Sequence, residues 1–84
     1  MQIKEKERVI EKAKFYFENN LKCHIKIRPT GSMNGKIISE LIDDLYYWFD
    51  NIRQPGKKER LFLIDIFDIK DYEEVEEWVK NFVI

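Results

Sequence analysis

The stretch Leu21-Lys22-Cys23-His24-Ile25-Lys26-Ile27-Arg28 indicates the fold class of this chain, because apolar and polar residues alternate along it. In a β-strand, successive side chains point to opposite faces of the sheet. The alternation therefore predicts a strand over residues 21–28 with one buried face and a basic outer row. A second apolar stretch, from Leu61 to Ile69, predicts two further short strands with a brief turn between them.

Helical periodicity flanks these strands on both sides. Apolar residues at three-four spacing predict a helix over residues 3–19, which ends at Asn19-Asn20 because Asn tolerates left-handed backbone. Asp71, with Glu74 three residues later, resembles a capping box. It predicts a second helix over residues 71–83.

Five strands and their turns account for the residues between the helices. The predicted strands cover residues 21–28, 35–42, 45–49, 60–64 and 67–70. Asn34-Gly35 is a strong turn signal, so the first reversal is placed at residues 30–35. A helix over residues 36–49 is the competing interpretation, which the β-branched and aromatic residues of that segment disfavour. The chain is thus predicted to be one α+β domain over residues 1–84, mainly β: a small five-stranded barrel between two helices.

Length and composition are those of a small globular protein. The 84 residues suffice for a modest core, and 44% of them are hydrophobic, a share too high for a disordered chain. One cysteine permits no intrachain disulfide, which is typical of a reducing compartment. No early segment resembles a signal peptide, and no apolar run reaches the roughly 20 residues that span a bilayer. We therefore expect a cytoplasmic protein that does not contact membranes.

Charge is distributed unevenly along the chain. Residues 1–36 contain nine Lys/Arg against four Asp/Glu, whereas residues 37–84 contain six against twelve. The net charge is only −1, so bulk charge does not indicate a nucleic-acid partner. One basic and one acidic face are compatible with this pattern, and so is an evenly solvated charged surface.

Catalytic and metal-binding patterns are missing from the sequence. Cys23 and His24 are neighbours on a predicted strand, so their side chains point to opposite faces and do not form a nucleophile–base pair. One Cys and one His are too few for a structural zinc site. The paired acids Asp43-Asp44 are interpreted as turn residues. We therefore predict a protein that is not an enzyme and needs no cofactor and no metal.

Two segments resemble the Sm-like proteins, a family of small β-barrels that includes the bacterial Hfq branch. Gly35-Lys36-Ile37 is similar to the Gly-x-Ile/Leu of the first Sm motif. The segment from Leu63 to Ile69 is similar to the last two strands of that fold, which a very short turn joins. The likeness extends over roughly residues 5–72. It implies a small barrel, binding of single-stranded RNA, and pairing of neighbouring subunits in an oligomer.

The motifs with which that family recognises uridine differ here. The Asp-x-x-Met-Asn signature is absent, since Asp43-Asp44 is followed by Leu45-Tyr46. The Arg-Gly of the second Sm motif and the Tyr-Lys-His of Hfq are missing as well. The resemblance therefore implies the barrel but transfers no ligand-binding residue.

Two functional hypotheses follow from these observations. The first is a non-enzymatic module that binds single-stranded RNA, with basic groups on phosphates and Tyr46, Tyr47 or Trp48 stacking on bases. The competing view of these aromatics is that at least two of the three fill the core. The second hypothesis is a protein-interaction or assembly module, a homo-oligomer or a docking partner, that uses a barrel edge or a terminal helix. The predicted RNA-contacting residues are Lys22, Lys26, Arg28, Arg53, Lys57, Lys58 and Arg60.

Overall fold

The computed structural model describes residues 3–72, which contain one helix, five strands and a short 3-10 turn. The helix α1 spans Ile3–Glu18 and is followed by Asn20 in left-handed backbone, as the Asn19-Asn20 stop signal predicts. The other elements are β1 (Cys23–Ile27), β2 (Ser32–Ile37), β3 (Tyr46–Asn51), β4 (Lys58–Phe62), the 3-10 turn (Leu63–Asp65) and β5 (Ile66–Asp71).

The five strands form one antiparallel sheet in the order β4-β3-β2-β1-β5. Strand β1 is therefore flanked by β2 and by the much later β5. Ile25 of β1 pairs with Met33 on one side and with Ile69 on the other. The alternating stretch that predicts a strand is thus an inner strand of the sheet. Cys23 and Ile25 of its apolar row are fully buried, whereas Ile27 is partly buried and Leu21 is 42% exposed.

The 3-10 turn forces this sheet to bend. It joins β4 to β5, which lie at opposite edges of the sheet, with only three residues. Four strand spacings of about 4.8 Å would separate the edges of a flat sheet by roughly 19 Å, and three residues at about 2 Å each do not span that distance. Hydrogen bonds fix each end of the turn to a neighbouring strand: Leu63 N donates to Leu45 O (2.9 Å) beside β3, and Arg28 N donates to Asp65 O (2.7 Å) beside β1.

The predicted closed barrel with two flanking helices is not confirmed. Within residues 3–72, β4 and β5 form no ladder with each other, so the sheet is strongly bent but open. The edges are joined through the 3-10 turn, whose backbone groups bond to residues next to β3 and β1 and form no pairing between β4 and β5. The helix predicted over residues 71–83 lies, apart from Asp71 and Tyr72, outside the described residues, and Asp71 itself ends β5.

Helix α1 packs across the concave face of the sheet and completes the core. Val9 and Ala13 are buried against the inward residues of the strands, among which Phe49 and Ile25 have no exposed surface. The core is entirely hydrophobic among the described residues. Its buried members are Val9, Ala13, Tyr16, Cys23, Ile25, Ile37, Tyr47, Phe49, Leu61, Leu63, Ile66 and Ile69.

The Asn34-Gly35 pair lies inside a strand and not in a turn. Strand β2 begins at Ser32, and the reversal after β1 lies at residues 28–31, where Gly31 has a φ of 126°. The placement of the first reversal at residues 30–35 was therefore wrong. A Cβ on Gly35 would overlap the Asp50 carbonyl oxygen and lie 2.9 Å from Phe49 Cζ, so close approach of β3 requires glycine here.

The second predicted turn is present. Asp43 and Asp44 both have positive φ, 53° and 55°, in the reversal that Ile42 and Tyr46 close by a bridge. Asp is one of the few residues that adopt this conformation at modest cost.

Residues 3–72 include no helix long and apolar enough to cross a bilayer.

Candidate functional site

The convex face of the sheet, opposite α1, carries charged and aromatic side chains. Strand alternation places Cys23 and Ile25 in the core and His24 and Lys26 on the convex face. Register extends this face from strand to strand, since His24 lies opposite both Asn34 of β2 and Lys70 of β5. The convex face therefore brings together residues that are distant in the sequence.

Four lysines lie on this face, on or beside β1, β2 and β5. They are Lys22, Lys26, Lys36 and Lys70, and we call them the lysine cluster. Lys26 and Lys70 are diagonal neighbours within hydrogen-bonding reach, and that contact together with the charge of Lys70 lowers the pKa of Lys26 below its ordinary value. Two adjacent ammonium groups repel each other, so this arrangement favours an anion between them.

The nearest acid does not neutralise this pair. Asp68 lies directly opposite Lys26 in the β1–β5 ladder. Its carboxylate is bonded to Lys12 of α1 at 2.8 Å and accepts the backbone N–H of Ile69 at 2.9 Å. The negative charge of Asp68 is thereby shared with the helix and offsets the charge of Lys26 only in part.

A second group on the convex face consists of an arginine over aromatic rings. We call Tyr46, Trp48, Arg60 and Phe62 the aromatic cluster. Arg60 Cζ lies 5.2 Å from the ring centroid of Tyr46 and 5.5 Å from that of Trp48. Tyr46 also contacts Trp48 edge to face, with centroids 5.7 Å apart. Arg60 is exposed to solvent, so its guanidinium plane remains accessible although it stacks on the two rings.

The two groups are joined through the middle of the sheet. Lys36 of β2 lies opposite Asp50 of β3, and Asp50 lies opposite Lys58 of β4. Trp48 and Lys36 are diagonal neighbours by the same register. The buried Oδ1 of Asp50 has no hydrogen-bond partner among the described residues, although a lysine stands on each side. The convex face is thus a continuous band from the lysine cluster to the aromatic cluster.

The structure divides the predicted RNA-contacting residues into three groups. Lys22 and Lys26 lie in the lysine cluster, and Lys58 and Arg60 lie on the convex face of β4. Arg53 and Lys57 lie in the exposed β3–β4 loop, away from the paired strands. Arg28 lies just after β1, where its guanidinium bonds to Glu5 at 3.1 Å and lies 5.2 Å from the ring centroid of Phe67.

Sequence reasoning missed Lys36 and Lys70 as members of the site. Each lies on the convex face by strand alternation, but only the strand order β2-β1-β5 brings Lys70 beside Lys26 and Lys36 level with the start of β1. The aromatic run was also misjudged, because only Tyr47 of the three aromatics at 46–48 is fully buried. Phe49 takes the second core position, and Tyr46 and Trp48 face outward. Alternation within the run is the signal that separates the two roles.

Metal and nucleophile chemistry find little support in the described part of the chain. Residues 3–72 contain no cluster of three His, Cys, Asp or Glu side chains suited to a metal ion. Burial raises the pKa of the Cys23 thiol to about 12, although the backbone N–H of Ile37 lowers it in part. Its side chain is fully buried, so the reactive thiolate is not available. His24 on the opposite face bonds through Nδ1 to Asn34 Oδ1 at 2.6 Å.

Comparison of this chain with protein-family models, with curated proteins and with solved structures finds no match. The site is therefore described by its own geometry alone: a basic and aromatic band on the convex face of an open, bent sheet.

Proposed function

We propose that this chain is a non-enzymatic module that binds single-stranded RNA along the convex face of its sheet. The observation that carries the proposal is the adjacency of the lysine cluster and the aromatic cluster on one continuous face. Proteins that bind single strands combine cations that follow the phosphate backbone with planar groups on which bases stack. The convex face of the five-stranded sheet provides both the cations and the planar groups.

Each cluster has its own part in this proposal. The four lysines of the lysine cluster contact phosphates, whose negative charge relieves the repulsion between the ammonium groups of Lys26 and Lys70. Arg60, positioned by Tyr46 and Trp48, offers an exposed guanidinium plane, and bases stack on such planes as they do on aromatic rings. No base-reading hydrogen bond is required, so binding is expected to depend weakly on base sequence.

Membership of the Sm-like family is part of the same proposal. What supports it is the helix before β1 and the three-residue connection between the last two strands. The site proposed here differs from the family's motifs, which this sequence lacks. A shared scaffold with a different binding face accounts for both observations.

The test of RNA binding is fluorescence anisotropy with labelled single-stranded RNA across a salt series. The double variant Lys36→Gln/Lys70→Gln removes two cations from the lysine cluster. Its matched control is Lys4→Gln/Lys6→Gln, which removes the same charge from exposed positions at the start of α1. Loss of two phosphate contacts should reduce the slope of log K against log salt by about 1.4, and the control should leave that slope unchanged.

A second variant tests the stacking part separately. Arg60→Lys keeps the charge but loses the planar guanidinium, so it should weaken binding by about 1 kcal/mol with an unchanged salt slope. No binding of the wild-type chain at low salt would overturn the proposal. If the lysine-cluster variant and its charge-matched control lost RNA affinity equally, the binding would be nonspecific charge attraction and not binding at the convex face.

A second candidate function is assembly through the edges of the sheet. Within the described residues, β4 and β5 each have one edge that no strand covers. Ile64 is 68% exposed in the turn that joins them, and Leu45 and Phe67 are each 51% exposed. Uncovered edges beside exposed apolar groups favour pairing with another strand.

Light scattering over a range of protein concentrations tests this second candidate. A homo-oligomer that Ile64→Asp converts to a monomer would support it. A monomer at all concentrations would exclude self-assembly and would leave RNA binding unaffected as a proposal.

A further inference from the structure

A bulge in the β1–β5 ladder exposes one aromatic ring beside the lysine cluster. Lys26 pairs with Asp68, but the next residue of β1, Ile27, pairs with Ile66. Phe67 is therefore the extra residue of β5 and has no partner on β1. A bulge of this kind redirects a side chain away from the regular alternation, and Phe67 is 51% exposed as a result.

The exposed ring forms one wall of a groove between the β1–β2 turn and β5. We call it the Phe67 groove, and it has a volume of about 760 Å³. Its polar lining includes basic and hydroxyl-bearing side chains from β1, the turn and β2. They are His24, Lys26, Arg28, Thr30 and Ser32. An aromatic surface and several hydrogen-bond donors thus face one concavity.

The charges around this groove are only partly balanced. Arg28 has Glu5 as its ionic partner and lies over the Phe67 ring. Within residues 3–72, the acid that acts on Lys26 is Asp68, and that carboxylate is bonded to Lys12. The positive charge left over therefore lies at the end of the groove where the two lysines meet.

We infer that the Phe67 groove is a subsite for one nucleotide, in which the Phe67 ring stacks on the base while Lys26 and Lys70 hold the adjoining phosphate. This inference rests on the proposed RNA-binding function and specifies where one nucleotide of the strand is held. A phosphate between the two ammonium groups removes their mutual repulsion. A base on the ring covers apolar surface that the bulge leaves open to water.

The combination of groups favours a nucleotide over an acidic peptide. A carboxylate would neutralise the two lysines equally well, but it would leave the Phe67 ring exposed. A base and a phosphate belong to one molecule, and they lie on opposite sides of a sugar. The groove likewise presents the Phe67 ring and Lys26 in its lining, and Lys70 lies beside Lys26 as its diagonal neighbour across the β1–β5 ladder.

The matched variants are Phe67→Leu in the groove and Phe15→Leu on α1. Phe15 is 54% exposed, nearly the same as Phe67, so the two substitutions remove similar exposed rings. Lys70→Gln is matched by Lys6→Gln in the same way. Backbone amide spectra of each variant check that the fold is retained.

The experiment combines an amide NMR titration with RNA binding. Adenosine monophosphate should shift the amide signals of Lys26, Ser32, Phe67 and Lys70, and adenosine or inorganic phosphate alone should bind more weakly. In the RNA assay, Phe67→Leu should weaken binding about tenfold with the salt slope unchanged. Lys70→Gln should reduce the slope by about 0.7, whereas Phe15→Leu and Lys6→Gln should change neither quantity.

The possible results separate the inference from the function on which it rests. If the wild-type chain binds RNA but Phe67→Leu behaves like Phe15→Leu, the subsite is wrong and the proposed function stands. If the chain binds no RNA but the mononucleotide shifts the groove signals and Phe67→Leu abolishes those shifts, the function is wrong and a nucleotide site remains. If the chain binds neither RNA nor the mononucleotide, both are wrong.

Discussion

The carboxylate of Asp68 is bonded to Lys12 of helix α1 at 2.8 Å, although Lys26 is its direct neighbour across the β1–β5 ladder. Lys12 Nζ also donates to the carbonyl oxygen of Ile69, at 3.2 Å. The helix thereby binds the acid that lies directly opposite Lys26, so the negative charge of Asp68 is shared between Lys12 and Lys26. The ion pair between Lys12 of α1 and Asp68 of β5 thus also affects the charge on the convex face.

Lys12→Met should reduce stability in a pH-dependent way. Burial raises the pKa of Asp68, but the bonds to Lys12 and to the Ile69 N–H and the charges of Lys12 and Arg8 outweigh it and hold that pKa below its ordinary value. A depressed pKa stabilises the fold above the unfolded value of about 3.9, and the effect is lost as pH falls through the lower folded value. The free energy of unfolding should therefore differ between wild type and variant at neutral pH, and the difference should shrink in acid.

Urea denaturation at neutral pH and at about pH 2.5 measures this difference. Lys14→Met is the control, because Lys14 forms only an exposed i,i+4 pair with Glu18 at 3.7 Å. Its effect should be small at both pH values. A Lys12→Met effect that does not change with pH would mean that packing of the lysine stem, and not the charge, stabilises α1 here.

Gly35→Ala should destabilise the fold by about 3 kcal/mol, because the new methyl group would overlap the Asp50 carbonyl and the Phe49 ring. Gly56→Ala is a suitable comparison, since Gly56 has a φ of 83° but open space around it. That variant should lose only about 1 kcal/mol, from backbone strain. Chemical denaturation gives both values, and similar losses in the two variants would contradict the close approach of β2 and β3.

The two buried tyrosines should respond oppositely to loss of their hydroxyl groups. Tyr16 donates a 2.6 Å hydrogen bond to Asp71, and burial together with that bond raises the pKa of Tyr16 to about 12. Tyr16→Phe should therefore cost about 1.5 kcal/mol. The Tyr47 hydroxyl is buried and has no partner among the described residues, so Tyr47→Phe should be neutral or stabilising.

Thermal unfolding of these single variants tests the assignment. A marked loss of stability in Tyr47→Phe would show that its hydroxyl is hydrogen-bonded in solution, for example to a water molecule.

Cys23 should react with a thiol reagent only through unfolding. Its pKa of about 12, raised by burial, keeps it protonated at pH values where a free thiol ionises. Reaction with a disulfide reagent at about pH 8 should be slow in buffer and complete in urea. Ser32→Cys, at an exposed position, should add one rapidly reacting thiol. Rapid modification of wild-type Cys23 would contradict the packing of β1.

Several features of the fold were predictable because they depend on local pattern. The alternation of Leu21 to Arg28 predicts β1, and three-four spacing predicts α1, because each pattern reports directly which side chains are buried. Asp43-Asp44 was identified as a turn from residue chemistry alone. The turn predicted from Asn34-Gly35 was wrong, because the glycine is needed for close approach of β3 and not for a reversal. A single sequence does not distinguish these two demands on glycine.

The site was harder to predict, because it depends on which strands are neighbours. Lys26 and Lys70 meet only because β5 pairs with β1. The exposure of Phe67 depends on a bulge, which leaves no mark in the sequence of either strand. Whether the sheet is open or closed depends on whether its edge strands pair with each other. The pattern of strands along the sequence is the same in both cases, so it does not predict which one forms.

The position of β1 between β2 and β5 has a consequence for synthesis of the chain. Strands β1 to β4 emerge from the ribosome before β5, so one side of β1, an inner strand of the sheet, has no partner for that interval. Pairing of Ile25 with Ile69 closes a long segment of chain, and such distant contacts form late. The nascent protein is therefore most prone to intermolecular strand pairing just before β5 is released. At that stage the uncovered edge of β1 needs protection.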